Sequence, residues 1–165
     1  MLHKPLPQTK VTLPEIGLGT WNYHGGVEPL QKGIDAGAAF IDTAESYGTE
    51  SVVGEAIAGW RSQVFLATKV SPSHFRYEAV IQAADQSLRT LRTDYLDLYQ
   101  LHEPNAGIPI AETMAAMEHL ADAGKVRFIG VSNFSVAELR AAQGVMRKYR
   151  IVANQVRYNL VDRTI

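Results

Sequence analysis

A short apolar run, then a polar residue, then a helix-like segment recur together five times along the chain. The apolar runs that predict the strands are 39–41, 64–67, 96–101, 128–131 and 151–153, and the residues at their carboxyl ends are Asp42, Lys69, His102, Asn133 and Gln155. Strands that alternate with helices form a parallel sheet, in which every strand ends at the same edge. The pattern therefore predicts that a carboxylate, an amine, an imidazole and two amides converge on one surface, as in the active site of a barrel of parallel strands.

The remaining segments carry ordinary strand and helix signals. An edge strand or hairpin is predicted at Val11–Glu15, and a first buried strand at Ile16–Trp21. Helix signals include Pro29 in a first turn, a segment from Glu50 to Ala58, and the capping pair Ser135 and Glu138. Apolar residues at helical spacing predict three buried stripes, made of Val80, Ala84, Leu88 and Leu91, of Ile110, Met114, Met117 and Ala121, and of Leu139, Ala142, Met146 and Tyr149.

Composition excludes several classes of function. The 165 residues carry a net charge of −1 with scattered basic residues, so the sequence predicts one domain over residues 1–165 with no nucleic-acid partner. The chain has no cysteine, which excludes disulfides and thiolate chemistry. No apolar run is long enough to span a bilayer, and Met1–Lys10 lacks the apolar core of a signal peptide; a cytoplasmic protein is expected. The histidines show no metal-ligand spacing, so no metal is predicted.

The densest chemical motif is the loop from Asp42 to Gly48, which contains Tyr47. A tyrosine with an ordinary pKa of about 10 is a reluctant proton donor at neutral pH. We predict that Lys69 lowers the pKa of Tyr47 by stabilising the phenolate, that Asp42 keeps the amine charged, and that His102 orients a substrate oxygen. Such a site protonates an oxygen that becomes negative, as in carbonyl reduction. Side chains cannot supply hydride, so a nicotinamide cofactor is required.

Five motifs resemble those of the aldo-keto reductases and follow one another in order from about residue 15 to residue 159. They are Gly17–Trp21, Asp42–Gly48, Ala67–Lys69, Leu101–His102 and Gly130–Phe134. The resemblance implies a TIM-type (β/α)₈ barrel that reduces an aldehyde or ketone with NADPH, less often NADH. It implies a catalytic tetrad of Asp42, Tyr47, Lys69 and His102 with Tyr47 as the acid. It further implies that Ser132, Asn133 and Gln155 hold the nicotinamide carboxamide, that Trp21 lines the substrate pocket, and that Val11–Glu15 closes the barrel floor.

The same residues also fit other interpretations. Taken singly, Asp42 fits a helix cap or loop turn and Asn133 fits turn chemistry, but their joint placement at strand ends favours catalysis. Gly17 and Gly19 with Asp42 superficially match a dinucleotide-binding fingerprint. That match fails because Asn22 occupies the position of the third glycine, and because the next helix begins too late to receive a pyrophosphate.

The count of elements also bears on function. Six strands and five helices are predicted, whereas a (β/α)₈ barrel typically has about 250 residues. By this count the last two βα units, whose loops usually bind phosphate, are not in the sequence, and the first and sixth strands have open edges. We therefore expect a fragment of a longer protein, a short form that self-associates through these edges, or a rearranged open barrel. The alternative function is a non-catalytic remnant or a regulatory binding module on the same scaffold.

Overall fold

The computed structural model describes residues 1–163. Its strands are β1 (His3–Pro5), β2 (Thr12–Pro14), β3 (Leu18–Gly19), β4 (Phe40–Asp42), β5 (Phe65–Val70), β6 (Leu96–Leu101), β7 (Val126–Ser132) and β8 (Ile151–Gln155). Its α-helices are α1 (Val27–Asp35), α2 (Glu50–Ala56), α3 (Tyr77–Leu91), α4 (Ile110–Asp122) and α5 (Val136–Val145). Short 3₁₀ turns lie at Glu45–Tyr47 and Pro72–His74.

Strands β3 to β8 form one parallel sheet in which they lie in sequence order. The sheet curls as part of a TIM-type barrel, and within residues 1–163 it carries five α-helices. β3 and β8 are its outer strands. The structure thus confirms the predicted six-stranded, incomplete barrel and the common edge at which the five strand-end residues lie.

The N-terminal segment forms the predicted hairpin. β1 pairs antiparallel with β2, with His3 opposite Pro14. Leu6, which is 8% exposed, packs with Phe65 and Leu98 in a small apolar cluster that is separate from the main core. Because Phe65 lies at the amino-terminal end of β5, the hairpin covers the end of the barrel opposite to the strand-end residues.

The main core lies between the sheet and the helices. The predicted stripe of α3 is buried throughout, and Met114 and Met117 of α4 are fully buried. Helices α2 and α3 approach closely at Gly54, where an added Cβ would lie 2.7 Å from the backbone of Leu91. Apolar burial of this kind contributes about 25 cal/mol per Å² to stability.

Two element boundaries were predicted wrongly. The strand expected at Ile16–Trp21 is limited to Leu18 and Gly19, which pair with β4, and the Thr20 N–H donates to the Asp42 carbonyl just beyond it. Ile16 lies outside the strand at this edge of the sheet and is 62% exposed. The last helix was expected to include Met146 and Tyr149, but it ends at Val145. Its end is fixed by Glu118 of α4, whose carboxylate accepts hydrogen bonds from the backbone N–H groups of residues 147, 148 and 149.

Smaller differences occur at two other helices. α1 begins at Val27, two residues before Pro29, after Gly26 at a positive φ of 75°. α2 ends at Ala56 rather than Ala58. None of the helices within residues 1–163 has the length and apolar character that crossing a membrane requires.

A buried carboxyl group joins α2 to the sheet. Glu50 is the first residue of α2 and is only 6% exposed. Its carboxyl accepts a hydrogen bond of 2.7 Å from the Thr68 hydroxyl on β5. Burial raises the pKa of Glu50 above its ordinary value of 4.5, and the Thr68 hydrogen bond offsets this only in part. The folded chain therefore holds this proton more tightly than the unfolded chain does.

This carboxyl group gives a prediction for the pH dependence of stability. A raised folded-state pKa supplies stability below the unfolded value of 4.5, which is lost as the pH rises through the folded value. The glutamine of Glu50→Gln does not titrate, so the variant does not lose this contribution. The free energy of unfolding of Glu50→Gln relative to that of wild type should therefore increase as the pH rises from about 4 towards neutrality. Urea unfolding across this range measures the gain. Glu55→Gln, which replaces an exposed glutamate on the same helix, is the control. If the free energies of unfolding of Glu50→Gln and wild type change with pH in parallel, the prediction is contradicted.

Candidate active site

Three consecutive strands bring Asp42, Lys69 and His102 to one rim of the sheet. Asp42 ends β4, Lys69 is the fifth residue of β5, and His102 follows β6 directly. The register pairs Asp42 with Ala67. Because side chains alternate along a strand, Lys69 lies on the same face as Ala67, which directs it towards Asp42. The backbone N–H of His102 continues the ladder by donating to Val70 at 3.0 Å.

Lys69 and Asp42 form a buried ion pair. The Lys69 amine is 1% exposed and donates to Asp42 Oδ2 at 2.6 Å and to the Thr43 carbonyl at 2.9 Å. Burial lowers the pKa of Lys69, while the Asp42 carboxylate acts in the opposite direction. The other carboxylate oxygen, Asp42 Oδ1, is buried and has no hydrogen-bond partner among residues 1–163. A buried acceptor left without a partner costs about 1–3 kcal/mol, and a catalytic role is one of the settings in which such an atom occurs.

Tyr47 lies above this ion pair and next to His102. It ends the 3₁₀ turn at Glu45–Tyr47, and Gly48 closes the turn at a φ of 69°. The Tyr47 hydroxyl is 3.4 Å from His102 Nε2, and Lys69 Nζ is 5.0 Å from the centre of the tyrosine ring. The hydroxyl of Ser46 lies 3.5 Å from the other ring nitrogen, Nδ1. The four residues of the predicted tetrad therefore lie together, although their catalytic roles remain a prediction.

The predicted lowering of the pKa of Tyr47 by Lys69 was wrong for this structure. The pKa of Tyr47 is raised instead, first by burial and then by the negative charges of Asp42 and Glu103. The Lys69 amine is paired with Asp42 at 2.6 Å, and its attraction for the phenolate does not outweigh the burial of the phenol. Burial and the nearby Lys69 together lower the pKa of His102, against the opposing charge of Glu103. At neutral pH the phenol therefore keeps its proton and the imidazole is uncharged.

The predicted carboxamide site lies at the ends of β7 and β8. The Ser132 hydroxyl donates to the backbone carbonyl of Gln155 at 2.9 Å, and the Gln155 side chain is 3.5 Å from the amide of the buried Gln100. Asn133 has a φ of 61° and donates to the backbone carbonyl of His102 at 3.2 Å, which links this site to the tetrad. Gln100 Oε1 has no partner within the described chain. Hydroxyl and amide groups can both donate and accept, as a carboxamide ligand requires.

An open cleft of about 430 Å³ lies over Tyr47 and His102. Trp21, the predicted pocket residue, is 72% exposed and lines it. The cleft is also lined by residues to which sequence reasoning gave no role in the site: Asn22, Ser46 and Glu103. Each adjoins a predicted site residue in the sequence, and that adjacency on a strand-end loop was the available signal. Among residues 1–163 there is no group of three or more His, Cys, Asp or Glu side chains placed to hold a metal.

Comparison with known proteins places this geometry in a family. The sequence profile of the Aldo/keto reductase family matches residues 15–165. Aldo-keto reductase YhdN of Bacillus subtilis is 37% identical over 99% of this chain and 55% of its own length. Methylglyoxal reductase YeaE of Escherichia coli is 43% identical over 94% of this chain and 58% of its own. The chain thus spans between 55% and 58% of the length of these two curated relatives.

Two solved structures of similar fold belong to the same family as the sequence relatives. The thermostable aldo-keto reductase Tm1743, solved with the inhibitor epalrestat, superposes with a TM-score of 0.94 at 40% identity, covering 98% of this chain and 64% of the other. An aldo/keto reductase from Klebsiella pneumoniae, solved with NADP and acetate, superposes with a TM-score of 0.76 at 46% identity. The superposition covers 80% of this chain and 50% of the Klebsiella chain. These similarities confirm the predicted family and fold.

The Asp42–Lys69 pair gives a prediction for stability. Asp42→Asn leaves the amine of Lys69 buried without its counter-charge, and breaking a buried ion pair in this way costs about 3–5 kcal/mol. The pKa of Lys69 should also fall further, since burial is then unopposed. Urea unfolding measures the first effect, and NMR titration of the Lys69 side chain measures the second.

The matched control breaks a lysine–aspartate pair in which both side chains are about one-third exposed. Asp85 and Lys125 lie 2.5 Å apart with side chains that are 34% and 37% exposed. Asp85→Asn should cost less than about 1 kcal/mol, because exposed pairs contribute little. A loss for Asp42→Asn no larger than that for Asp85→Asn would show that burial of the pair is not what makes it important.

Proposed function

Because the chain belongs to the aldo/keto reductase family, we propose that it carries the catalytic rim of an NADPH-dependent reductase of aldehydes or ketones. The observation that carries the proposal is the position of the Tyr47 hydroxyl. It lies 3.4 Å from the imidazole of His102 and above the Lys69–Asp42 ion pair. A proton donor, a hydrogen-bonding partner and a fixed positive charge are the groups that protonation of a developing oxyanion requires.

Relatives support both the reaction and the cofactor. YeaE is named a methylglyoxal reductase, and methylglyoxal is a small neutral dicarbonyl compound. Two structures of Klebsiella pneumoniae relatives contain NADP or NADPH. Since the chain spans little more than half of the length of its curated relatives, the activity of the whole protein is part of this proposal.

The residues present fit the nicotinamide end of that cofactor. Ser132, Asn133 and Gln155 would hold its carboxamide with complementary donors and acceptors, at the strand ends next to His102. When bound, NADPH supplies the hydride that protein side chains cannot. NADPH rather than NADH is proposed from the relatives, because the residues described here contact only the carboxamide end in this assignment.

The chain's own residues then handle the proton. The raised pKa of Tyr47 keeps its hydroxyl protonated until a substrate oxygen in the cleft becomes negative. His102, uncharged at neutral pH, can donate a hydrogen bond from Nε2 to that oxygen and orient it beside the phenol. As Tyr47 gives up its proton, the phenolate forms above the amine of Lys69, which stabilises it. Asp42 keeps that amine charged in a position from which water is excluded.

This assignment predicts the effect of removing one oxygen atom. Tyr47→Phe removes the proton donor and leaves the ring in place, so NADPH consumption with a reactive aldehyde should fall by about 10² to 10⁴. NADPH binding, followed by fluorescence, should not change, because the phenol does not contact the predicted carboxamide site. Circular dichroism checks that both forms are folded.

Two results would decide against the proposal. Equal turnover by Tyr47→Phe and wild type would remove Tyr47 from the reaction. If wild type showed neither turnover nor NADPH binding, the reductase proposal would fail for this chain and a non-catalytic module on the same scaffold would replace it. The variant Phe40→Leu is a useful control, since it changes an aromatic residue that packs in the cluster at the opposite end of the barrel.

A further inference from the structure

The side chain of Glu103 is an unpaired charge at the mouth of the cleft. Glu103 follows His102 in the sequence, is exposed, and lines the cleft together with Trp21, Asn22, Ser46 and Tyr47. Its carboxylate forms no ion pair or hydrogen bond with any of residues 1–163. The carboxylate of Asp42, the acidic residue of the tetrad, is paired with the amine of Lys69, whereas the carboxylate of Glu103 has no such counter-charge in the part of the chain that the structure describes.

The remaining charged groups around the cleft do not offset it. Lys69 is 1% exposed and lies beneath Tyr47 with its charge paired. His102 is uncharged at neutral pH, because burial and Lys69 lower its pKa. Glu45, on the same loop as Tyr47, adds a further carboxylate, which pairs with His74 and the backbone N–H of Ser71. The surface that a substrate meets therefore has a net negative charge.

The charge of Glu103 acts on the reacting groups themselves. After burial and Asp42, it is the third contribution that raises the pKa of Tyr47, and it opposes the lowering of the pKa of His102 by burial and Lys69. The negative potential of Glu103 is thus present at the two side chains that would contact a carbonyl oxygen. Asn22 and Ser46, which share the cleft, are neutral and can hydrogen-bond to hydroxyl or carbonyl oxygens.

Building on the proposed function, we infer that Glu103 is a specificity-determining residue. It makes the cleft accept small neutral or cationic carbonyl compounds, preferably with further hydroxyl or carbonyl oxygens, and reject those with a carboxylate near the carbonyl group. Two unit charges about 4 Å apart in water interact by about 1 kcal/mol, which corresponds to about fivefold in a binding or rate constant. Because the charge is exposed, the discrimination should weaken as salt screens it.

The first experiment measures discrimination in turnover. The ratio of kcat/KM for benzaldehyde to that for 3-carboxybenzaldehyde should fall about fivefold in Glu103→Gln at low ionic strength. The difference between variant and wild type should largely vanish in about 1 M NaCl, where the Debye length is about 3 Å. Glu55→Gln makes the same change of net charge on the exposed face of α2 and should leave the ratio unchanged. Glu103→Asp keeps the charge and should retain the wild-type preference.

The second experiment needs neither turnover nor cofactor. Three soluble nitroxides that differ only in charge are added separately to the chain, and the NMR relaxation of the Trp21 indole N–H and the His102 ring protons is recorded. In wild type the cationic nitroxide should relax these protons most and the anionic one least. The difference between the two, called here the nitroxide spread, should be smaller in Glu103→Gln. Glu55→Gln should not reduce it.

The two experiments separate failure of this inference from failure of the proposed function. Absence of aldehyde turnover with an intact nitroxide spread would reject the reductase but leave the anion-rejecting cleft. A wild-type spread that Glu103→Gln does not change would overturn the inference, as would a kcat/KM ratio equal in Glu103→Gln and wild type.

Discussion

The arrangement of the rim depends on one buried charge, the amine of Lys69. An ammonium group removed from water costs several kcal/mol unless it is paired, and here both acceptors, the Asp42 carboxylate and the Thr43 carbonyl, lie at the end of the neighbouring strand. A shift of one residue between β4 and β5 would turn Lys69 to the other face of the sheet and leave it without these partners. The register of β4 against β5, the pairing of the Lys69 charge and the position of the loop that carries Tyr47 therefore depend on one another.

The loops around Lys69 are joined to one another by hydrogen bonds. The hydroxyls of Thr20 and Thr49 meet at 2.9 Å, Asn105 donates to the Pro72 carbonyl at 2.8 Å, and Asn133 donates to the His102 carbonyl at 3.2 Å. Each bond crosses from one strand-end loop to the next. Loops of this kind are usually the mobile part of a barrel, and these cross-links explain how the cleft side chains can keep fixed positions on them.

The stripes of α3 and α4 could be predicted from periodicity within single segments, and the convergence of the strand-end residues from the alternation of strands with helices, which makes the sheet parallel. The end of α5 could not, since it depends on Glu118 of α4, which lies 29 residues before Arg147 in the sequence. The direction of the pKa shift of Tyr47 was predicted wrongly because it depends first on the burial of the phenol and then on its distances from Asp42 and Glu103, none of which the sequence contains. Glu103 was missed because its signal in the sequence is adjacency to His102 on a strand-end loop, with no motif of its own.

Each end of the barrel holds a carboxylate with little exposure to solvent, and the two carboxylates are paired differently. At the amino-terminal end of β6, Asp97 accepts from Arg61, from Arg127 and from the backbone N–H of Leu66, so both of its oxygens are satisfied. At the carboxyl end, Asp42 satisfies one oxygen only. Full satisfaction fixes Asp97 in a structural role. Asp42 instead lies beneath Tyr47, where its charge, after burial and together with that of Glu103, raises the pKa of the phenol, whose proton the proposed reduction would use.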